Sequence, residues 1–119
     1  MSNSTNHQKI AKKLSDNPDA FSDISNALKI LGDKWSVLIL ICLVDQPTRF
    51  TDIEELLPKL NPRTLTTKLK KLEKEGLVSR QVFKQFPPRV EYSITSKALE
   101  LRPVIKELKA WAKKHCTKD

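Results

Sequence analysis

Six residues between Arg63 and Lys74 carry side chains that could act together: Arg63, Thr64, Thr67, Lys70, Lys71 and Lys74. Ammonium and guanidinium groups neutralise phosphates, and arginine also reads guanine edges. A threonine hydroxyl can hydrogen-bond a base or a phosphate, and its methyl can touch a thymine methyl. On a helix that turns about 100° per residue, Leu69 and Leu72 fall within about 40° of Leu65 and form a buried side. Arg63, Thr67, Lys70 and Lys74 fall opposite, flanked by Thr64 and Lys71, with Glu73 and Glu75 nearer the apolar seam. A merely solvated helix mixes its charges in i, i+4 pairs, whereas this spacing segregates them. The bland alternative is a lysine-rich face that serves solubility alone. Outside the helix, Arg49, Lys84 and Arg89 extend the positive charge, with Arg80 nearby. From Arg49 to Arg89 there are ten basic and five acidic residues, so this stretch holds five of the chain's eight net positive charges.

Other chemistries find little support. The chain has 119 residues, room for one domain with a real core. An apolar fraction of 39% and a charged fraction of 30% describe a soluble globular protein with a heavily charged surface. A net charge of +8 points to an anionic partner, nucleic acid before a membrane surface. Two histidines and two cysteines supply few soft metal ligands. Gly32 and Gly76 are the only glycines and have no companions at the spacing of a phosphate-cradling loop. No HExxH, GxSxG or CxxC occurs; missing motifs do not exclude an enzyme, but nothing in the sequence asks for one, and no metal or cofactor is expected. The most apolar run, Trp35 to Val44, falls short of the roughly 20 residues of a bilayer span. Met1 to Asn6 is polar and no apolar segment of a signal peptide follows, which predicts the cytoplasm.

The elements that would position the basic residues can be placed in order. Residues 1–18 are expected to be a loosely docked arm, helical around His7 to Leu14 and broken at Asn17-Pro18. Residues 19–119 are expected to form the domain. A helix is predicted over Ser22 to Leu31, with Ile24, Ala27, Leu28 and Leu31 in one stripe and Gly32 as a left-handed stop. Asp33 is placed as the cap of a helix to Val44, apolar nearly all round and hence central to the core. Arg49-Phe50 is too short for more than a β-bridge. Thr51 and Glu54 have the spacing of a capping box for a short helix that Pro58 ends. After a three-residue turn, Asn61-Pro62 opens the basic helix, about 62–75, which Gly76 ends.

The hydrophobic period then changes to two, predicting a hairpin over about 78–94 with a basic tip at Lys84 to Pro88. Thr95 can cap a last helix to about His115, with Pro103 as a kink or as the start of a separate helix. The expected fold is mainly α with a small β-hairpin: a winged helix-turn-helix with a three-helix core, a wing and terminal helices.

Five segments carry a resemblance. They are Gly32-Asp33-Lys34-Trp35, Arg49-Phe50-Thr51-Asp52-Ile53, Asn61 to Thr66, Leu69 to Val78, and Pro87 to Thr95. In this order and spacing they resemble the HxlR-type winged helix-turn-helix regulators of bacteria and archaea, over about Ile24 to Trp111. The resemblance implies a homodimer on a pseudo-palindromic operator in double-stranded DNA. The helix from Pro62 would enter the major groove and the hairpin would reach the backbone or minor groove of flanking DNA. It implies dimerisation through the first and last helices, where Ile24, Leu28, Leu101, Leu108 and Trp111 are the apolar candidates. Many members carry a redox-sensing cysteine thirteen residues before the tryptophan; here that position is Ser22, whose hydroxyl forms no thiolate. A small-molecule effector is left open and unidentified.

Cys42 lies in the apolar helix and reads as an inert small hydrophobe. Cys116 stands among Lys113, Lys114 and Lys118 and is a weak redox candidate, the alternative being an incidental tail cysteine. Trp35 and Trp111 read as packing residues before ligand-pocket residues. Two other function classes stand beside DNA binding. A protein-docking winged helix would not need the charge stripe, and an enzyme would have to draw on His7 and His115 at the chain ends.

Overall fold

The computed structural model describes residues 6–12 and 18–116. Two compact units divide the chain, Met1–Asp33 and Lys34–Asp119. In the first, residues 6–12 form helix α1 and Pro18–Leu31 form α2. Helix α2 starts four residues before the predicted Ser22, with Pro18 in its first turn, where a proline loses no helical hydrogen bond; Asn17, the other half of the predicted break, lies outside the described residues. Phe21, Ile24 and Leu28 lie exposed along α2. Gly32 is not the left-handed stop expected, since Gly76 is the only described glycine with positive φ. A Cβ at Gly32 would collide with the Leu28 carbonyl oxygen, so close approach is what requires glycine there.

The second unit runs α3 (Lys34–Leu43), β1 (Thr48–Arg49), α4 (Phe50–Leu56), α5 (Pro62–Lys74), β2 (Val78–Phe83), β3 (Arg89–Ile94), α6 (Ser96–Leu99) and α7 (Arg102–His115). The core joins Ile39, Leu40 and Leu43 of α3 to Ile53 of α4, Leu65, Leu69 and Leu72 of α5, and Tyr92 of β3. Burial of each leucine or isoleucine stabilises the fold by about 1.5–3 kcal/mol. The buried set on α5 is the side predicted from its periodicity. Helix α3 is less enclosed than its all-apolar sequence implies. Ser36 is fully buried with the core residues, yet Ile41 is 44% exposed and Val37 and Leu38 are half-buried. One side of α3 therefore faces outward.

The sheet has three antiparallel strands in the order β1-β3-β2. Thr48 pairs with Tyr92 and Arg49 with Glu91, so the expected bridge is a short strand beside the hairpin. The buried Thr48 hydroxyl donates to the Gln46 carbonyl at 3.0 Å, holding this strand to the turn that follows α3. Phe50 belongs to α4, not to the strand. The capping box is not formed: α4 begins at Phe50, Arg49 occupies the cap position without a side-chain bond, and Thr51 is already inside the helix. Pairing of Thr48 and Arg49 with β3 moves the helix start upstream of the local signal. The turn after α4 is longer than the three residues expected, spanning 57–61, with Leu60 buried beneath it. Thr95 caps only the four-residue α6, and α7 is a separate helix with Pro103 in its first turn.

Candidate nucleic-acid interface

Helix α5 is closed at both ends by its own sequence. The Asn61 side-chain oxygen accepts from the Arg63 backbone N–H at 2.7 Å, and Pro62 opens the first turn. Such a cap stabilises a helix by about 1 kcal/mol. At the other end, Gly76 N–H donates to Glu73 O at 3.0 Å and Leu77 N–H to Leu72 O at 2.9 Å. This is a Schellman closure, and it places Gly76 at φ 77°, where a side chain would be strained. Leu72 and Leu77, the apolar pair that accompanies this motif, are both buried.

Two residues absent from the expected site tie this end of α5 to the following elements. The Thr95 hydroxyl donates to Gly76 O at 2.7 Å while accepting from Ala98 N–H at 3.3 Å. Lys97 Nζ donates to Glu75 O at 2.8 Å, a cation at the negative end of the helix. Thr95 carries a local signal as a cap, but its bond to Gly76 spans 19 residues. Lys97 carries none, because its partner is a backbone carbonyl 22 residues away.

The predicted basic residues fall into place on this frame. Arg63, Thr64, Thr67, Lys70, Lys71 and Lys74 are all exposed, on the sides of α5 away from the core. The Thr67 hydroxyl donates to Arg63 O at 3.1 Å and that of Thr66 to Pro62 O at 3.0 Å. Each hydroxyl hydrogen is thus occupied within the helix, leaving oxygen lone pairs and the methyl group for a ligand. Lys70 lines a cleft of about 320 Å³ with Thr66 and Glu73 of α5, Arg80 of β2 and Tyr92 of β3. Arg49 and Arg89, 40 residues apart in sequence, line a second cleft of about 280 Å³ with Thr51, Gln85 and Pro87. Lys84 is exposed at the start of the hairpin loop.

Arg89 is the one DNA candidate that is half-buried. Its guanidinium carbon lies 4.2 Å from the Phe83 ring centroid, and its Nε is 3.2 Å from a Glu91 carboxylate oxygen. That nitrogen has no well-aligned hydrogen bond, so the contact is a charge pairing rather than a directed bond. Stacking fixes the base of the wing, which a flexible surface arginine would not do.

The apolar candidates lie elsewhere. Leu101 is half-buried, while Leu108 and Trp111 are exposed, and α7 has no buried residue. Trp111 is 59% exposed and only tilts against His115 at a centroid distance of 5.2 Å, which overturns its expected role as a packing residue of the core. Trp35 is half-buried under Lys34 Nζ, 4.7 Å from its ring. A groove of about 630 Å³ runs between α3 and α7, lined by Leu38, Ile41, Val44, Ile105 and Leu108 among others. Burial raises the Cys42 thiol above its ordinary pKa, disfavouring a thiolate, whereas Cys116 is a free, exposed cysteine.

The HxlR-like helix-turn-helix family profile matches residues 30–119, covering the whole of the second unit. The chain belongs to this family. The HTH-type transcriptional regulator YdeP of Bacillus subtilis is 41% identical over 92 residues, 77% of this chain and 72% of YdeP. YodB of the same organism is 38% identical over 93 residues, 78% of this chain and 83% of YodB. Among solved structures, reduced YodB superposes with a TM-score of 0.71 at 37% identity, covering 82% of this chain and 96% of that one. The oxidised form of the redox regulator HypR gives 0.75 at 32%, covering 82% and 98%. This HxlR-type chain is thus a winged-helix transcriptional regulator that acts through DNA, and not an enzyme. Among the described residues, no helix is long and apolar enough to cross a membrane, and no three His, Cys, Asp or Glu residues group as metal ligands.

Proposed function

We propose that this HxlR-type chain binds a pseudo-palindromic operator as a homodimer, with α5 in the major groove and the β2–β3 wing on flanking DNA. The observation that carries the reading is the face of α5. Arg63, Thr67, Lys70 and Lys74 are exposed together on a helix whose other side is held by Leu65, Leu69 and Leu72. Lysines and Arg63 would engage phosphates or guanine edges, while Thr67 would offer its methyl and lone pairs to a base. Arg49 with Arg89, and Lys84 at the wing, would hold the flanking backbone.

The dimer is supported by what one chain leaves uncovered. Leu108 and Trp111 on α7, Ile41 on α3, and Ile24 and Leu28 on α2 are all exposed. A second copy, covering Leu101, Leu108 and Trp111 as well as Ile24 and Leu28, would remove these side chains from water. Binding of such a pair to two half-sites needs recognition helices about one turn of DNA, roughly 34 Å, apart.

The reading is tested by fluorescence anisotropy with labelled duplex at several salt concentrations. The triple variant K70A/K71A/K74A is expected to bind all duplexes more weakly. Its salt dependence should also be flatter, by about 0.9 in log–log slope for each phosphate that is no longer neutralised. A variant that binds as the parent does would show that this face of α5 does not meet DNA.

A further inference from the structure

The wing ends in a large apolar side chain that nothing in the fold requires. Phe86 is 99% exposed, against 64% for Ile24, the next most exposed large hydrophobic among the described residues. The others lie on helices or, for Val82, on a strand; Phe86 alone sits in a loop. An aromatic ring left wholly in water forgoes its hydrophobic gain, so a ring held there is free to gain it against a partner.

The loop holds that ring out rather than letting it trail. Only Lys84 to Pro88 separate the strands, and Phe83 pairs with Arg89 at the closing position. Gln85 N–H donates to Phe83 O at 3.0 Å, and the Arg89 guanidinium stacks on the Phe83 ring. Pro87 and Pro88 restrict the backbone after Phe86. The nearest charges in sequence are Lys84 and Arg89, both positive; Arg89 is paired with Glu91, and Lys84 is the exposed cation beside the ring. A cationic mount for one exposed ring fits a partner that is anionic outside and aromatic inside, which describes duplex DNA. Anchoring to a bilayer would use a broad apolar face, and a single ring does not supply one.

We propose that Phe86 is a wedge: its ring enters the minor groove beside the α5 site and partly unstacks one base step. The wing would then read how easily the flanking DNA deforms, in addition to holding its phosphates. Pyrimidine–purine steps yield most readily and would be favoured at that position. This inference rests on the DNA-binding function proposed above.

Selection of duplexes from a random pool, run in parallel with the wild-type chain and F86A, separates the two claims. The wild type is expected to enrich TA or CA/TG steps outside its half-sites. F86A is expected to keep the half-sites and lose that flanking preference. On the wild-type-selected duplex, F86A should bind about 10-fold more weakly, with F86W restoring affinity. The salt slope of F86A should equal that of the wild type, because no phosphate contact is removed, whereas K84A should flatten it. With 2-aminopurine at the flanking step, fluorescence should rise on binding of the wild type and stay flat with F86A. Equal affinity and equal flanking preference for wild type and F86A would overturn the wedge alone. A wild-type chain that enriches no duplex would overturn the DNA-binding reading, and the wedge with it.

Discussion

Helices α5 and α7 are nearly equal in length, and both are amphipathic, but one is finished within a single chain and the other is not. The core side of α5 is filled by Leu65, Leu69 and Leu72, its start is capped by Asn61, and its end is closed through Gly76, Thr95 and Lys97. Its polar side needs only solvent or a ligand. Helix α7 has no buried residue, with Leu108 and Trp111 in the open and an apolar groove separating it from α3. The surface presenting cations is therefore set by the fold of one chain, while the surface presenting hydrocarbon is left uncovered by it and is the one that the proposed pairing would bury. Binding to DNA and pairing of chains should respond to different substitutions.

The largest effect is expected where pairing is broken. The double variant L108E/W111E should sediment as a monomer while retaining the helical circular dichroism of the parent. Without the second half-site, operator affinity should fall by about 10²- to 10⁴-fold, the usual range for uncoupling two linked binding modules. A monomeric wild type at micromolar concentration would undo the contrast from the other side, since α7 would then be stable uncovered.

Next comes the cationic face. The triple variant K70A/K71A/K74A should remain dimeric in the same sedimentation experiment, yet bind every duplex more weakly, with the largest deficit at low salt. A shift toward monomer in this variant would mean that the two faces are not separate. Single replacements at Arg63 or Thr67 should act more narrowly. R63A or T67V is expected to relax preference at one or two base pairs by about 1–3 kcal/mol each, read by competition among single-substituted operators. The salt slope separates the two positions, falling for R63A only if Arg63 also meets a phosphate.

The smallest effect concerns how α5 is held. T95V removes the hydroxyl that joins Gly76 O to the start of α6 and should lower unfolding stability by about 1 kcal/mol in urea. Its dimerisation should be unchanged, because both bonds of the hydroxyl lie outside α7.

How far the site can be read from sequence follows the range of the interactions. The start of α5 is legible because Asn61, Pro62 and Arg63 settle it among themselves. The hairpin is legible because Val78 to Ile94 switches period, and the observed register, Val78 with Ile94 through Phe83 with Arg89, keeps both strands in phase. The helix start at Phe50 is hidden because Thr48 and Arg49 are claimed by β3, more than 40 residues on. Gly32 resembles a left-handed stop, yet the Leu28 carbonyl, one helical turn earlier, excludes a side chain without any left-handed backbone. Residue type alone assigns Trp111 to the core, but it stands 59% exposed on α7, a helix with no buried residue. The clefts that bring Arg49 to Arg89 and Lys70 to Arg80 depend on strand pairing and cannot be seen in a linear pattern.

Operator binding by a pair of chains is tested most directly by the sequence that the wild-type chain selects from a random duplex pool. The expected result is a two-fold symmetric consensus with half-sites centred about one helical turn apart, roughly 10 base pairs or a multiple of it. An asymmetric consensus with a single half-site, or no enrichment over the starting pool, would contradict it.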